Sequence, residues 1–274
     1  PTMPDALFAR DGDHFLPSTL AASAWGPDVL HGGPVAALVA RAAEDALPDP
    51  ALQPVRLTVD LFRAVPRAPL TTKVELVRTG RRVVVASVSV LATNGDAPLE
   101  VTRGQVMFLR PTQGATTPPI AAPPGPEGLK PRTGVAEAPL MAGLSGGFHT
   151  LVETRWPAVP EDQRGTQMWV RVPFPIFEGE TPTPFQRLAC ISDFGNALAN
   201  YAANWQEPQH RREASFINTD ISVHLLRPPE GEWLCLEADR STHAAGLGLV
   251  EVTHYDERGH YARSAQARLV NSRD

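Results

Sequence analysis

Disulfide chemistry is the first thing this sequence lacks. Its 274 residues hold two cysteines, Cys190 and Cys235, each inside an apolar segment. They read as reduced core thiols of a cytoplasmic protein, not as a covalent frame. Long runs of one charge are missing as well. No basic run exceeds two residues (Arg81-Arg82, Arg211-Arg212), and the net charge is −5. A nucleic-acid surface would normally be basic, so no nucleic-acid partner is expected. The longest apolar run, VVVASVSVLA from Val83, is broken by serine. It falls short of the ~20 residues that cross a bilayer, so no membrane insertion is expected. The opening PTMPDALFARDGDHF has no basic segment before an apolar core, and no signal peptide is expected. None of the eight histidines stands in H-E-x-x-H or at paired Cys/His spacing, so no metal site is expected. No phosphate-cradling or dinucleotide glycine pattern follows a strand.

What the sequence does have is proline in one place. Residues 111–140 carry eight prolines and few large apolar side chains, the composition of an extended linker. The linker divides the chain into 1–110 and 141–274. In the first part, ALFARDGDHFLPSTLAASAW reads as a hairpin about Asp11-Gly12-Asp13. Gly32–Leu47 reads as an Ala-rich helix with Pro34 at its first position and Pro48 beyond its end. Strands follow: PVRLTVDLFRAVP, LTTKVELVRT and RRVVVASVSVLA, turning at Asn94-Gly95 into LEVTRGQVMFL. The second part repeats this order. FHTLVETRW and TQMWVRVPFPIF read as strands, PFQRLACISDFGNALANYAANW as one helix, and ASFINTDISVHLLRP, EWLCLEADRS, GLGLVEVTHYD and HYARSAQARLV as strands.

The two parts align without a gap at an offset of 162, bringing Pro66 onto Pro228, Glu75 onto Glu237 and Arg78 onto Arg240. Gln105 meets Gln266 at an offset of 161. A shared order of one helix then four strands points to an internal duplication. One helix and about five strands cover a single helix face, so two such units side by side would give an α+β fold with one continuous curved sheet.

Several polar residues stand out. On a helical wheel Ile191, Phe194, Leu198, Tyr201 and Trp205 share one face, with Asp193 opposite beside Asn196, Asn200 and Asn204. On that pattern alone Asp193 is a first-turn acid and the asparagines a solvated stripe. Strand alternation sets Tyr261, Ala265, Ala267 and Leu269 on one face and Ser264, Gln266 and Arg268 on the other, where Gln266 would be a surface residue. In FINTDIS, alternation groups Asn218 with Asp220, Ser222 and His224, and Thr219 with Ile217, Ile221 and Val223. GLSGG, 143–147, fits G-x-S-x-G, but a proline-rich segment precedes it where a buried strand is needed, so Ser145 reads as a loop residue.

The chain resembles the thioesterase-like superfamily with a double hotdog fold, close to the bacterial acyl-CoA thioesterase II group. The resemblance rests on VLHGGPVAALVARAA, LFRAVP, ISDFGNAL, VHLLRPPEGEWLCLEA and YDERGHYARSAQARLV, and spans nearly everything but the linker. It implies hydrolysis of acyl-CoA or acyl-carrier thioesters without a cofactor. It also implies that Asp193 is the catalytic acid and that Gln266 helps to hold the attacking water. The family usually has Thr or Ser at the third catalytic position; here Asn218 stands there, with Thr219 next to it. An amide can still orient a water. Gly33 takes the place of Asp193 in the first helix, so one half carries the acid. The glycine pair Gly32-Gly33 is the expected source of oxyanion N–H donors. His31, Gly32, Gly33 and Thr219 are expected to contact substrate, and Arg211-Arg212 could meet CoA phosphates. Two other readings stay open. One is a hotdog hydratase or dehydratase, for which His31 or His224 would pair with an acid. The other is a non-catalytic acyl-binding protein. An exposed edge strand would favour a homodimer.

Overall fold

A computed structural model describes residues 6–94, 97–114, 146–156, 167–206 and 215–271. Of the linker only 111–114 fall within this range; Ser145, Arg211 and Arg212 lie outside it. The N-terminal hairpin forms as the sequence suggests, from β1 (Phe8–Asp11) and β2 (His14–Pro17), with Gly12 at φ +57° in its turn. A short 3-10 turn and the pair β3 (Ala22–Ser23) and β4 (Gly26–Leu30) lead into helix α1 (Gly32–Asp45). The strands β5 (Gln53–Asp60), β6 (Leu70–Thr79), β7 (Val83–Asn94) and β8 (Ala97–Leu109) complete the first repeat.

The segment read as a strand from Phe148 begins as a short helix, α2 (Phe148–Leu151), and only β9 (Glu153–Arg155) is extended. β10 (Gln167–Arg171) follows. The long second helix is two helices, α3 (Pro184–Ile191) and α4 (Phe194–Gln206), with Ser192 and Asp193 at the break. The strand read through FINTDIS is likewise two, β11 (Ser215–Asn218) and β12 (Asp220–Leu225). β13 (Leu234–Ala244), β14 (Leu247–Asp256) and β15 (Gly259–Asn271) close the chain.

All the long strands form one antiparallel sheet in the order β1-β2-β6-β7-β8-β5-β12-β15-β14-β13-β10-β9, with β11 also on β15. The repeats join where β5 pairs with β12. That pairing sets Val59 opposite Ile221, Asp60 opposite Asp220 and Thr58 opposite Ser222. A swap by 162 residues maps these pairs onto one another, so a pseudo-twofold axis runs through Val59 and Ile221. The register shift in β6 between Leu76 and Arg78 recurs in β13 between Ala238 and Arg240, again 162 residues on. This is the double hotdog, and the duplication shows in its bulges as well as in its element order.

The match of Gln105 to Gln266 does not hold. Gln105 accepts a hydrogen bond from Arg56 on the outer face, whereas Gln266 is fully buried on the inner face. By strand face and by the 162-residue offset, Gly104 is the residue equivalent to Gln266.

Each repeat wraps a helix. α1 is buried on nearly every side: ten of its residues, from Gly33 to Ala43, are enclosed. A helix apolar all round belongs in a core, and its alanines let neighbours come close. It lies on β5–β8 and against α3. Pro34 falls at the third helical position rather than the first, still among the N–H groups that need no helical partner. Thr183 caps α3 in a capping box with Gln186, and Glu44 of α1 accepts from Thr183 Oγ1 and Gln186 Nε2. Burial pushes the Glu44 carboxyl above its usual range despite these donors.

Gly33 marks the tightest point of this helix contact. A Cβ there would lie 2.0 Å from the carbonyl oxygen of Cys190. Gly33→Ala is therefore expected to lower stability by about 2–3 kcal/mol, read as a fall in the urea midpoint. An unchanged midpoint would mean that the helices do not meet this closely.

Candidate active site

The helix break places Asp193 at the mouth of the seam between the repeats. Ser192 ends α3: its N–H reaches Leu188 O, and its hydroxyl donates to Ala189 O at 2.8 Å. α4 restarts at Phe194, which leaves the Asp193 side chain 10% exposed and aimed at the start of α1. There Gly32 lacks the Cβ that would sit within 3 Å of the carboxylate.

Three donors meet this carboxylate. Asn218 Nδ2 donates to Oδ1 at 2.7 Å. His31 Nδ1 lies 3.0 Å from Oδ2. The backbone N–H of Gly32 completes the set. An ionised carboxylate offers about four acceptor positions, so roughly one is left for a further donor. Burial alone would push the Asp193 carboxyl up. The His31 charge, with hydrogen bonds from His31, Asn218 and Gly32, outweighs burial and holds the group below the usual carboxylate range.

His31 has two demands on one nitrogen. Nδ1 is 3.0 Å from Asp193 and 3.1 Å from the Gly33 N–H. A protonated Nδ1 donates to the carboxylate, and an unprotonated one accepts from Gly33. The protonated form matches the ion pair that holds Asp193 ionised. Aromatic rings fix the imidazole: Phe148 and Phe194 each lie 5.2 Å away between centroids, and His149 stacks at 6.2 Å. Phe148 and His149 carry no local signal of this role, because FHTL reads as a strand when its partner across the seam is unknown.

Asn218 reaches Asp193 because the strand shifts face. β11 pairs Asn218 with Arg268, whereas β12 pairs Ser222 with Ala265, one residue out of step. The bulge at Thr219 turns Asn218 inward and leaves Ile221 and Val223 inward too, against the strict alternation expected. Thr219 is exposed, its hydroxyl and N–H both directed at Ala267 O, away from Asp193. His224 is exposed opposite Arg56 and also distant.

Gln266 is not a surface residue. It and its neighbours on that face of β15, Ser264 and Arg268, are all buried, while Leu269 is exposed. Gln266 Nε2 donates to Ser192 O at 3.2 Å, the residue before Asp193, and Oε1 is buried without a partner. A Cβ at Gly195 would sit 3.0 Å from that Oε1. Asn196 and Asn200 of the asparagine stripe are not merely solvated, since both donate to Phe216 O; the side chain of Asn204 lies outside the described residues. Asp193, Asn218, His31 and Gly32 thus come into direct contact, with Gln266 one residue away. The N–H of Gly32 is engaged on Asp193, and that of Gly33 is freed when His31 Nδ1 is protonated and donates to the carboxylate.

The electrostatics predict how Asp193 titrates. Its carboxyl, followed by NMR, should titrate below the ordinary aspartate value of about 3.9. In His31→Ala, which removes the neighbouring charge and one hydrogen bond, the value should rise. Because the folded value is depressed, the pair contributes stability above the unfolded value, which is lost as pH falls through the folded one. An unmoved titration in His31→Ala would refute the coupling.

Residues 21–112 match the family profile described as the acyl-CoA thioesterase N-terminal domain. Residues 119–270 match that of the acyl-CoA thioesterase C-terminal domain. No curated protein matches. Among solved structures, a conserved protein of unknown function with a hot dog fold from Alicyclobacillus acidocaldarius is 19% identical, with a TM-score of 0.69 and 98% of each chain covered. An acyl-CoA thioesterase II, TesB2, from Mycobacterium marinum is 16% identical, with a TM-score of 0.56 over 88% of this chain and 90% of that one. The dehydratase domain of PpsC from Mycobacterium tuberculosis is 14% identical, with a TM-score of 0.52 over 89% and 85%. At these identities the likeness is one of fold. The profiles reach further, covering both repeats, and on them the chain belongs to the acyl-CoA thioesterase family.

Proposed function

We propose that the protein hydrolyses acyl-CoA thioesters with a water oriented by Asp193. The observation that carries this is the ionised carboxylate at the seam, with three donors and room for one more. A water taking that position would point its lone pair at a thioester carbonyl carbon. As oxygen attacks and the carbon–sulfur bond breaks, the water's proton passes to the Asp193–His31 pair and then to the departing sulfur. His31, which donates to the same carboxylate, holds Asp193 ionised and turned toward the water. Asn218 and Gln266 take the part of holding that water, Gln266 Oε1 being a buried amide acceptor without a partner. The Gly32 N–H is engaged on Asp193, so the Gly33 N–H and the first-turn N–H groups of α4 are the oxyanion donors within the site.

The same reading takes the protein as cytoplasmic, free of cofactor and homodimeric. Both cysteines are buried and unpaired, as a reducing compartment allows. Among the described residues no helix is long and apolar enough to cross a membrane. The terminal strands of the sheet, β1 and β9, have four and three residues, so a dimer formed by strand pairing would have little edge to use.

A second reading has its own observation. The His31–Asp193 contact is the histidine–acid pair that hydration or dehydration of an acyl thioester needs, and a dehydratase domain shares the fold. A panel of acyl-CoAs of graded length with thiol detection separates the two. Wild type is expected to release thiol, and Asp193→Asn to lose 10²–10⁴-fold in kcat, about the worth of a positioned acid–base group. Loss of enoyl-CoA absorbance without thiol release would favour hydration. Full activity in Asp193→Asn would overturn both readings.

A further inference from the structure

The hydrolytic scheme leaves one buried charge unused. Arg268 lies two residues past Gln266 on the inner face of β15 and is 3% exposed. Its guanidinium meets neutral groups: Nη2 donates to Ser241 Oγ at 2.6 Å, and Nη1 to Asn200 Oδ1 at 3.4 Å. The ring of Phe216 lies 4.7 Å from its central carbon. Nε is buried without an acceptor, and no carboxylate pairs with the group among the described residues. Burial pushes its pKa down, yet a guanidinium does not give up its proton in a protein. The aromatic face offsets part of the cost of this burial and leaves the charge unbalanced.

Its place in the sheet gives that charge a use. Strand pairing sets Asn218, Arg268, Gly248 and His243 in one row across β11, β15, β14 and β13. Asn218 is the residue that holds Asp193. Gly248, beside Arg268, makes room for the Phe216 ring, which packs 3.1 Å from where a Cβ would be. Along α4, Asn200 is seven residues from Asp193, about 10 Å at helical rise. Arg268 therefore pairs across the sheet with the residue that holds the reacting carboxylate, and bonds the helix that follows it.

We propose that Arg268 is an anion subsite that takes carboxylate or phosphate oxygens of the substrate. The proposal rests on the hydrolase reading for the rest of the substrate. A planar guanidinium matches two oxygens of one anionic group, which Ser241 and Asn200 satisfy only as neutral stand-ins. The anion comes either from the far end of a dicarboxylic acyl chain or from the phosphates of CoA.

Four substrates separate these sources: adipyl-CoA, hexanoyl-CoA and the N-acetylcysteamine thioesters of both acids. If the acyl carboxylate is bound, Arg268→Gln loses roughly 100-fold in kcat/KM on both adipyl thioesters and little on the hexanoyl ones. If phosphate is bound, the loss follows both CoA substrates and spares both N-acetylcysteamine thioesters. Arg268→Lys keeps the charge without the fork and recovers part of the loss. Equal loss on all four, or none on any, overturns the proposal. Calorimetry with adipate and with CoA tests the subsite apart from hydrolysis. Binding of either by wild type that is absent from Arg268→Gln supports the subsite even if no thiol is released. Equal binding by the two proteins, or none by wild type, overturns it. Arg268→Gln should also be at least as heat-stable as wild type, because it removes an unbalanced buried charge. A marked fall in Tm would mean the charge is balanced within the protein, and would overturn the proposal too.

Discussion

Asp193 is held from both sides of a seam, and much of the surrounding structure follows from that. His31 and Gly32 come from the first repeat and Asn218 from the second. Neither repeat holds the complete set. The close approach demands glycine at 32, where the carboxylate rests, and at 33, where the carbonyl of Cys190 presses on α1. It also demands the break between α3 and α4, since an unbroken helix would carry Asp193 along with its neighbours' polar stripe. A carboxylate enclosed this way would normally be driven neutral. The donors around it reverse that, and the group stays charged where water can still reach it.

Duplication supplied the frame and divergence the chemistry. The pseudo-twofold axis through Val59 and Ile221 relates the bulges of β6 and β13, so the backbone has kept its symmetry. The inner faces have not. Where the first repeat has Gly104 under Val39 of α1, the second has Gln266 under Gly195 of α4. In the first repeat the glycine is on the strand, and in the second it is on the helix. The first repeat is thus a packed apolar core, and the second carries a polar inner row of Ser264, Gln266 and Arg268.

The frame was legible in the sequence because it depends on local patterns. The Asp11-Gly12-Asp13 turn, the alanine-rich α1 and the 162-residue offset all reappear in the structure. Side-chain direction was harder to read. Leu247, Leu249 and Leu269 are exposed on the outer face while Gln266 and Arg268 are buried, so polarity points the wrong way along β14 and β15. At Thr219 a single bulge reverses the faces that alternation assigns. The asparagines of α4 looked solvated because nothing local reveals that β11 offers the Phe216 carbonyl to them. Asp193, Asn218 and Gln266 were nominated by family resemblance. Asp193 and His31 are 162 positions apart, the repeat offset itself, so they hold equivalent places in the two halves; that equivalent positions touch across the seam is a fact of packing, which an alignment does not reveal.

The central claim is that Asp193 and His31 act as one unit on the reacting water. The direct measurement is a double-mutant cycle on kcat/KM for acyl-CoA hydrolysis, with Asp193→Asn, His31→Ala and both together. Groups acting as a unit are strongly non-additive, so the double variant should lose about as much as Asp193→Asn alone. Losses that simply multiply would show that the two residues work independently, and would contradict the account.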